Sequence, residues 1–280
     1  MILVFGKTGQ VARELSRAAP DAIFLGRDVA DLTDAGTCAE QITSHAPRAV
    51  INAAAYTAVD NAESDVETAH LVNATAPAAM AKACADLNIP FVHISTDYVF
   101  DGKGETSFSP DHPTAPLGIY GQTKLAGEEA IRDVGTSVIL RTSWVFSAHG
   151  DNFVKSMLRF GAERDEMGIV ADQIGGPTPA AAIADAVLTI ARAHIGSDTP
   201  GGTHHFAGAP DVSWADFARE IFRQADLSVN VTDIPTSDYP TPATRPLNSR
   251  LNCDSLETTY GISRPDWRRS LTQVLQELTQ

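Results

Sequence analysis

Tyr120 and Lys124 stand four residues apart in the stretch 118–130, which reads GIYGQTKLAGEEA. If this stretch is helical, both side chains rise from one face, because residues four apart are neighbours on a helix. A phenol beside an ammonium can act as a proton donor, since a neighbouring positive charge favours the phenolate that remains. Spacing of this kind also arises by coincidence, so the rest of the sequence must show whether the pair is used.

A glycine-containing turn directly follows the first apolar run, ILVF at residues 2–5. Gly6, Gly9 and Ala12 form the pattern GxxGxxA between a predicted strand and a predicted helix. There, Gly6 permits the tight turn, Gly9 lets a pyrophosphate approach the backbone, and the helix N-terminus offers N–H donors. An ordinary glycine turn is the alternative, but the strand–turn–helix context favours dinucleotide binding. The residues predicted to contact the cofactor here are Gly6, Lys7, Thr8, Gly9, Gln10 and Val11.

The segment after the second predicted strand bears on which dinucleotide is bound. An acidic residue at that strand end would accept from a ribose hydroxyl and repel a 2′-phosphate. Here Arg27 comes first and Asp28 follows, so Arg27, together with Lys7, can hold a 2′-phosphate. A merely solvated Arg27 is the alternative. We predict NADPH as the cofactor, with NADH as an accepted substitute, and place Asp31 and Leu32 among its contacts.

Strand-like and helix-like segments alternate through the first half of the chain. The apolar runs AIFLG, RAVINAAA, IPFVHIS and SVILRTSWVF follow the opening ILVF, with helical patterns between them. This alternation predicts an α/β fold, a Rossmann-type doubly wound parallel sheet, whose ligands bind beyond the carboxyl ends of the strands. The residues following the third strand are small enough to leave room for a cofactor, and we predict contacts from Ala53, Ala54, Ala55 and Tyr56.

Composition excludes several classes of function. The chain has 280 residues and a formal net charge of −14, which disfavours binding to nucleic acid or to an anionic membrane surface. No apolar stretch approaches the roughly 20 residues of a membrane span, and the opening does not resemble a signal peptide. Cys38, Cys84 and Cys253 lie far apart without metal-ligand spacing. These features predict a cytoplasmic protein without a metal.

Several motifs in order together resemble the extended short-chain dehydrogenase/reductase family. They are FGKTGQ, NAAAYTAVDNAE, HISTDYVFDG, YGQTKLAGE, RTSWVF, DQIGGPT and YPTPATRPLNSRLN, between residues 5 and 252. The last three are typical of a nucleotide-sugar reductase subgroup. The resemblance implies NAD(P)H-dependent reduction of the C4 keto group of dTDP-4-dehydro-L-rhamnose. It also implies that Tyr120 is the general acid, that Lys124 lowers the phenol pKa and orients the cofactor, and that Thr96 bonds the same oxygen.

The same resemblance implies where the nucleotide sugar binds. Trp144 would form a flat wall against the deoxysugar, although packing in the core is the alternative for a tryptophan near a strand end. Arg245 and Arg250 would clamp the diphosphate, unless carboxylates pair with them and they only hold their loop. The full set of predicted substrate contacts is Thr96, Asp97, Tyr98, Tyr120, Trp144, Arg245, Asn248 and Arg250.

Past residue 208 the strand–helix alternation weakens. We predict a dinucleotide-binding domain at 1–146 plus 169–208, and a smaller, discontinuous substrate domain at 147–168 plus 209–280. Some relatives dimerise through a metal held by two glutamates. Glu14 is available for this role, but the second matched segment, PTPAAAIAD, has alanine there. We therefore predict a monomer or a weak homodimer.

Two other functions stay open from the sequence. One is a related epimerase or dehydratase, although a dehydratase would want a second acid beside the Thr96–Asp97–Tyr98 run. The other is a non-catalytic, dinucleotide-binding regulatory subunit, although such proteins often lose the tyrosine or the lysine and both are present here.

Overall fold

The fold is built on one six-stranded parallel sheet, seen in a computed structural model that describes residues 1–197 and 199–279. Elements are numbered in chain order. The strands of this sheet are β1 (Ile2–Phe5), β2 (Ile23–Leu25), β3 (Ala49–Asn52), β4 (Phe91–Thr96), β5 (Ser137–Thr142) and β10 (Gly202–Phe206). Their spatial order is β2, β1, β3, β4, β5, β10, with every neighbouring pair parallel. The predicted doubly wound sheet is confirmed.

Helices cover both faces of this sheet. They are α1 (Gln10–Ala18), α2 (Ala35–His45), α3 (Val59–Ala62), α4 (Val66–His70), α5 (Ala76–Asp86), α6 (Ile119–Ile131) and α8 (Ala180–His194). Side chains alternate along each strand, so Leu3 and Phe5 enter the core on one face while Val4 enters the core on the other. A strand buried on both faces needs an apolar side chain at nearly every position, which explains the continuous run ILVF.

The strand order changes direction between β1 and β3, which opens a crevice at their carboxyl ends. Gly6 lies in this crevice with φ +111°, a left-handed conformation. A Cβ atom there would lie 3.2 Å from the carbonyl carbon of Ala53. Glycine therefore lets the turn after β1 approach the segment after β3.

A second, smaller body is built from short strands and helices. Its strands are β6 (Val145–Phe146), β7 (Glu166–Val170), β8 (Ile174–Gly175), β9 (Thr178–Pro179), β11 (Val212–Ser213), β12 (Asn230–Ile234) and β13 (Asn248–Ser249). Its helices are α7 (Phe153–Gly161), α9 (Trp214–Gln224) and α11 (Trp267–Leu278), while α10 (Asp254–Tyr260) packs against the main sheet. Phe217 of α9 and Trp267 of α11 are fully buried in its core. Ser213 caps α9 as its spacing to Asp216 predicts.

The described elements divide between the two bodies slightly differently from the predicted boundaries. Strand β7 pairs with β12, and β8 pairs with β11 and β13, so the chain still belongs to the smaller sheets at residue 175. The return to the main sheet begins with α8 instead of residue 169. Helix α10 packs its Leu256 into the core of the main sheet, although it lies within 209–280. The boundary follows tertiary pairing, which the apolar pattern does not encode.

None of the helices in the described ranges combines the length and apolarity needed to cross a membrane.

Candidate active site

Helix α6 carries the tyrosine and lysine, and it begins one residue before Tyr120. Gly118 at its N-cap has no side chain to accept from the first turn. Glu63 fills that role from a distant part of the chain, since its Oε1 accepts from the backbone N of Ile119 at 2.9 Å. The negative charge of this carboxylate is also attracted to the positive, N-terminal end of the helix dipole. The predicted helix is confirmed, and so is the shared face of Tyr120 and Lys124.

Two glycines let α6 lie unusually close to the carboxyl edge of the sheet. A Cβ at Gly121 would lie 2.2 Å from the carbonyl oxygen of Tyr98, and one at Gly127 would lie 2.1 Å from that of Asn73. Any larger residue would push the helix outward. Close docking brings Tyr120 against Thr96, the last residue of β4.

The environment of Tyr120 raises its pKa. Burial of the phenol is the main cause and raises the pKa of Tyr120 to about 12, with Asp97 adding to the effect. A hydrogen bond with Thr96 acts in the opposite direction, because it stabilises the phenolate. The resemblance implies a lowered phenol pKa. In the structure, desolvation is the largest influence on this pKa and outweighs the hydrogen bond with Thr96.

Lys124 is almost fully buried, and its Nζ donates to the carbonyl oxygen of Ile94 at 2.7 Å. The same Nζ lies 3.1 Å from Nε2 of His93, a buried residue in the middle of β4. Burial lowers the pKa of Lys124 to about 8, and the negative charge of Glu128 acts in the opposite direction. This amine therefore changes its charge near neutral pH, which an exposed lysine does not do.

Asn73 fixes the predicted cofactor segment that follows β3. Its Oδ1 accepts from the backbone N of Tyr56 at 2.9 Å, and its Nδ2 donates to the carbonyl oxygen of Tyr56 at 3.1 Å. The same Nδ2 donates to Thr123 of α6 at 3.1 Å. Asn73 is thus buried between the segment and α6 and ties one to the other. Its side chain contacts protein on every polar atom, so it supports the cofactor segment and does not point outward.

The turn after β1 presents an open surface at the start of α1. Gly9 caps this helix without a side-chain hydrogen bond, and a Cβ placed on it would meet no atom within 4 Å. No side chain caps the first turn of the helix, and the space beside Gly9 is open, which suits an anion site at the helix N-terminus. The side chain of Gln10 is used otherwise, because its Oε1 accepts from Ser147 at 2.9 Å and from Asn152 at 3.0 Å.

Arg27 is exposed at the end of β2, in the place predicted for a 2′-phosphate contact. Its Nε donates to Asp31 at 3.1 Å, and its side chain is 75% exposed. The carboxylate of Asp31 also accepts from the backbone and the hydroxyl of Thr33, and the backbone bond is the main reason that the pKa of Asp31 is lowered. Leu32 is buried in the core beneath this surface, with 8% of it exposed, and its contact with the cofactor stays a prediction.

Asp97 and Ser249 are buried polar residues whose hydrogen bonding is incomplete. Among the described residues, Oδ2 of Asp97 and Oγ of Ser249 make no hydrogen bond of full geometry, but the Ser249 hydroxyl lies close enough to Asp97 to lower the pKa of its carboxyl. Burial raises the pKa of Asp97 to about 6. The ring of Tyr98 meets that of Tyr120 edge-on at 5.4 Å, and burial also raises the pKa of Tyr98. Buried oxygens near Tyr120 whose hydrogen bonding is incomplete are groups that a sugar hydroxyl would satisfy.

Trp144 stacks on another tryptophan. Its ring lies parallel to that of Trp214, with centroids 3.6 Å apart, and its backbone has φ +48°. Trp214 donates from Nε1 to Gln173 at 3.1 Å, which fixes the pair. Spacing on α9 predicts Trp214 as a core residue, but it is only partly buried and covers one face of Trp144. Gly175 packs against the same indole, since a Cβ placed there would lie 2.8 Å from Cε2 of Trp144. The wall for the sugar therefore stays a prediction.

Two arginines flank β13 in different environments, Arg245 before the strand and Arg250 directly after it. Arg245 donates to Asp60 of α3 at 2.7 Å, and Asp60 also accepts from the backbone N of Ala243 at 3.0 Å. Arg250 donates to Oδ1 of Asn248 at 3.0 Å, and no ion pair within residues 1–197 and 199–279 includes it. Asn248 itself is buried and donates to the carbonyl oxygen of Thr106 at 2.8 Å. Arg245 and Asn248 therefore hold the loop, and Arg250 keeps its charge uncompensated.

Glu14, the residue available for a bridging metal, lies 3.3 Å from Nε2 of His149 and 3.6 Å from Arg17. In the described ranges, no group of three or more His, Cys, Asp or Glu side chains is arranged to hold a metal ion.

His93 is the main site residue absent from the sequence predictions. It interrupts the apolar run IPFVHIS, and a polar residue inside a strand buried on both faces is the signal that indicates it. Glu63 gave no such signal, because its partner lies 56 positions away along the chain.

Comparison with known proteins agrees with this geometry. A family model described as "RmlD substrate binding domain" matches residues 1–280. The dTDP-4-dehydrorhamnose reductase of Sinorhizobium fredii is 44% identical, with 99% of this chain and 97% of that protein covered. The enzyme of the same name from Escherichia coli K12 is 41% identical over the same shares of the two chains.

Solved structures give the same result. A dTDP-4-dehydrorhamnose reductase from Clostridium acetobutylicum superposes with a TM-score of 0.93 at 34% identity, covering 100% of this chain and 99% of that one. Another from Bacillus anthracis, in complex with NADP, has a TM-score of 0.92 at 32% identity, covering 99% and 98%. The parallel sheet and the Thr96–Tyr120–Lys124 edge define a short-chain dehydrogenase/reductase of the extended type. Within that class, the chain belongs to the dTDP-4-dehydrorhamnose reductase family.

Proposed function

We propose that this protein reduces the C4 keto group of dTDP-4-dehydro-L-rhamnose to give dTDP-L-rhamnose, the final step in making that sugar nucleotide, with NADPH as the reductant. The observation that carries the proposal is the meeting of Thr96, Tyr120 and Lys124 at the carboxyl edge of the sheet, in a chain that matches reductases of this name along its whole length.

The cofactor fits the residues present at the crevice. The open N-terminus of α1 offers backbone N–H groups to a pyrophosphate, and Gly9 leaves the approach clear. Arg27 supplies an exposed guanidinium for a 2′-phosphate, with only its Nε engaged by Asp31 among the described residues. The Ala53–Tyr56 segment, fixed by Asn73, lies on the other side of the crevice. When bound, NADPH supplies the hydride that the keto carbon receives.

The chain's own residues handle the proton. Tyr120 donates its phenolic proton to the C4 oxygen as negative charge develops there. Thr96 hydrogen-bonds the same oxygen and shares that charge. Protonated Lys124 lies on the same helix face and favours the phenolate that Tyr120 leaves behind. Because all three lie on regular elements or at their ends, the site is largely formed before substrate binds.

Substrate position depends on contacts far from the keto carbon. Arg250 is the best-placed cation for the diphosphate, because its charge is not neutralised by a carboxylate in the described chain. Asp97 and Ser249 present buried oxygens to the sugar. Trp144, which is half-buried and stacked on Trp214, is the aromatic group proposed to contact the sugar ring. We further propose a cytoplasmic location. We also propose a monomeric or weakly dimeric state, and size-exclusion chromatography with light scattering tests that oligomeric state.

The test is turnover with the proposed substrate. Purified protein is mixed with dTDP-4-dehydro-L-rhamnose and NADPH, and loss of NADPH absorbance is followed together with the sugar product. Formation of dTDP-L-rhamnose with equal NADPH consumption supports the proposal. Absence of turnover with both NADPH and NADH, in a folded sample that binds cofactor, would contradict it and favour a regulatory dinucleotide-binding role. An epimerised or dehydrated product without net NADPH loss would favour the related enzyme classes.

A further inference from the structure

A buried chain of hydrogen bonds connects the catalytic lysine to the predicted cofactor segment. Lys124 Nζ lies 3.1 Å from His93 Nε2, and His93 Nδ1 lies 3.1 Å from Asn52 Nδ2. At the far end, Oδ1 of Asn52 accepts from the backbone N of Ala54 at 3.1 Å. Asn52, His93 and Lys124 are each at most 1% exposed, so water does not reach this chain.

The partners at each end fix which atoms carry protons. The N–H of Ala54 can only donate, so Asn52 must face it with its oxygen and turn its NH₂ group toward His93. His93 Nδ1 then has to accept. Burial and the nearby Lys124 lower the pKa of His93 well below its usual value, so the ring is neutral and carries one proton. That proton sits on Nε2 and points at Lys124.

An N–H of His93 aimed at Lys124 suits only one charge state of the amine. A neutral amine has a lone pair that accepts this bond, while its own N–H donates to the carbonyl oxygen of Ile94. An ammonium has no lone pair and would face His93 donor to donor. To accommodate it, the His93 proton must move to Nδ1, and Asn52 must then rotate its oxygen toward His93 and release the N–H of Ala54.

We propose that His93 is a positioning residue of the proposed reductase, which couples the protonation of Lys124 through Asn52 to the backbone N–H of Ala54. Neutral Lys124 goes with the Nε2–H tautomer of His93 and an engaged Ala54. Charged Lys124 goes with the Nδ1–H tautomer and an Ala54 N–H that is released toward the crevice. By linkage, a ligand that accepts from Ala54 raises the proton affinity of Lys124.

This coupling serves the reaction because the ammonium form assists Tyr120. A cofactor that accepts from Ala54 would thus favour the charged amine at the moment when the phenol must donate. Other charges near Lys124 do not replace His93. Glu128 of α6 is paired at 2.6 Å with Arg141 of the neighbouring strand β5, and Asp97 acts on the pKa of Tyr120.

The first test observes the tautomer directly and needs no substrate. Protein with ¹⁵N-labelled histidines is titrated by long-range ¹H–¹⁵N correlation from about pH 6 to about pH 10, around the Lys124 pKa of about 8. His93, one of 8 histidines, is assigned by the signal lost in His93→Phe. We expect a neutral ring throughout, with its proton on Nδ1 at low pH and on Nε2 at high pH. The change should be absent in Lys124→Met.

A single tautomer across this range would overturn the coupling, and so would a His93 that becomes cationic. Addition of NADPH should move the change of tautomer to higher pH, because the cofactor segment takes the Ala54 N–H. If saturating NADPH leaves the pH of the tautomer change where it is, that result would contradict the link to the cofactor segment. These readouts do not depend on turnover, so they stand even if the proposed substrate is not reduced.

The second test locks the tautomer. In Asn52→Asp, the carboxylate accepts from both Ala54 and His93 Nδ1–H, so Nε2 always accepts and Lys124 keeps its proton to higher pH. We expect the basic limb of the kcat profile to move up by about one pH unit or more. The same substitution in a His93→Phe background controls for the added charge and should move the limb much less. Equal movement in both backgrounds, or none in either, would assign His93 to structure alone.

Discussion

The carboxyl edge of the sheet and the segment at residues 243–250 use polar residues for different purposes. At the edge, Lys124 and Thr96 are at most 5% exposed and sit on a helix and a strand end. In the loop, Arg245 keeps 20% of its side-chain surface and is held by a carboxylate from a distant helix. The edge determines which groups carry protons, and the segment at residues 243–250 is proposed to hold the substrate in place.

This difference shows why motif spacing locates the chemistry better than the binding contacts. Four residues on one helix bring Tyr120 and Lys124 together wherever that helix packs. Arg245 instead finds Asp60 at a separation of 185 positions, and no local pattern announces the pair. The role of a residue in an irregular loop depends on the groups that it contacts in the folded chain. Two residues of the same type can therefore have different roles there.

Replacing Tyr120 with phenylalanine removes the proposed proton donor from the buried edge of the sheet and should have the largest effect on turnover. The phenolic proton is lost while the ring still packs, so turnover should fall by about 10²-fold or more, within the range of general-acid effects. NADPH affinity, measured by fluorescence titration, should stay within about twofold of the native value. Tyr98→Phe is the matched control, since it removes a neighbouring hydroxyl. Near-normal turnover in Tyr120→Phe would move the proton donor to another group.

Asp97→Asn tests whether the buried edge is built at the expense of stability. Burial raises the pKa of Asp97 to about 6 from 3.8, so its charge lowers stability progressively as pH rises between these values, and fully above about pH 6. The neutral amide should raise the free energy of unfolding by up to about 3 kcal/mol near pH 8 and by much less near pH 4. Urea unfolding at both pH values measures this. A pH-independent difference between the two proteins would show that ionisation is not the cause.

Arg250→Ala sharpens the loop side of the comparison. The loss of a charge-assisted contact to the diphosphate should raise KM for the nucleotide sugar about tenfold, with NADPH affinity unchanged. Arg245→Ala should chiefly lower Tm, because its guanidinium already pairs with Asp60. Arg250→Lys, which keeps a positive charge, should recover part of the lost affinity. A large fall in Tm for Arg250→Ala at unchanged KM would give both arginines the structural role.

Arg27→Ala probes the exposed cofactor surface and should have the smallest effect. Its side chain is 75% exposed, so removing its pair with Asp31 should leave stability nearly unchanged. KM for NADPH should rise about threefold to tenfold, while KM for NADH should stay the same, because only NADPH carries the 2′-phosphate. Steady-state kinetics with both cofactors measures the ratio. Equal losses for the two would mean that Arg27 is solvated and does not read the phosphate.

The sequence predicted the parts of the site that depend on local order. The run ILVF followed by GxxGxxA specifies a buried strand, a tight turn and a helix start within a dozen residues, and the structure confirms that arrangement. It also predicted the helix that carries Tyr120 and Lys124. Leu32 is an example of what local order does not predict. It was predicted as a cofactor contact from its position after β2, and its side chain packs in the core.

By itself, then, the sequence determined the fold class, the carboxyl edge and the helix that carries Tyr120 and Lys124, because hydrophobic periodicity and motif spacing are local properties of the chain. The resemblance to a known family predicted Tyr120 as the proton donor. Only the tertiary structure decided the partners of those groups. It brought His93 to the amine of Lys124 and Asn52 to His93, stacked Trp214 on Trp144, and paired Arg245 with Asp60. Hydrogen-bond partners and desolvation depend on which elements pack together. The charge states of the site therefore follow from packing, and the residue types alone do not set them.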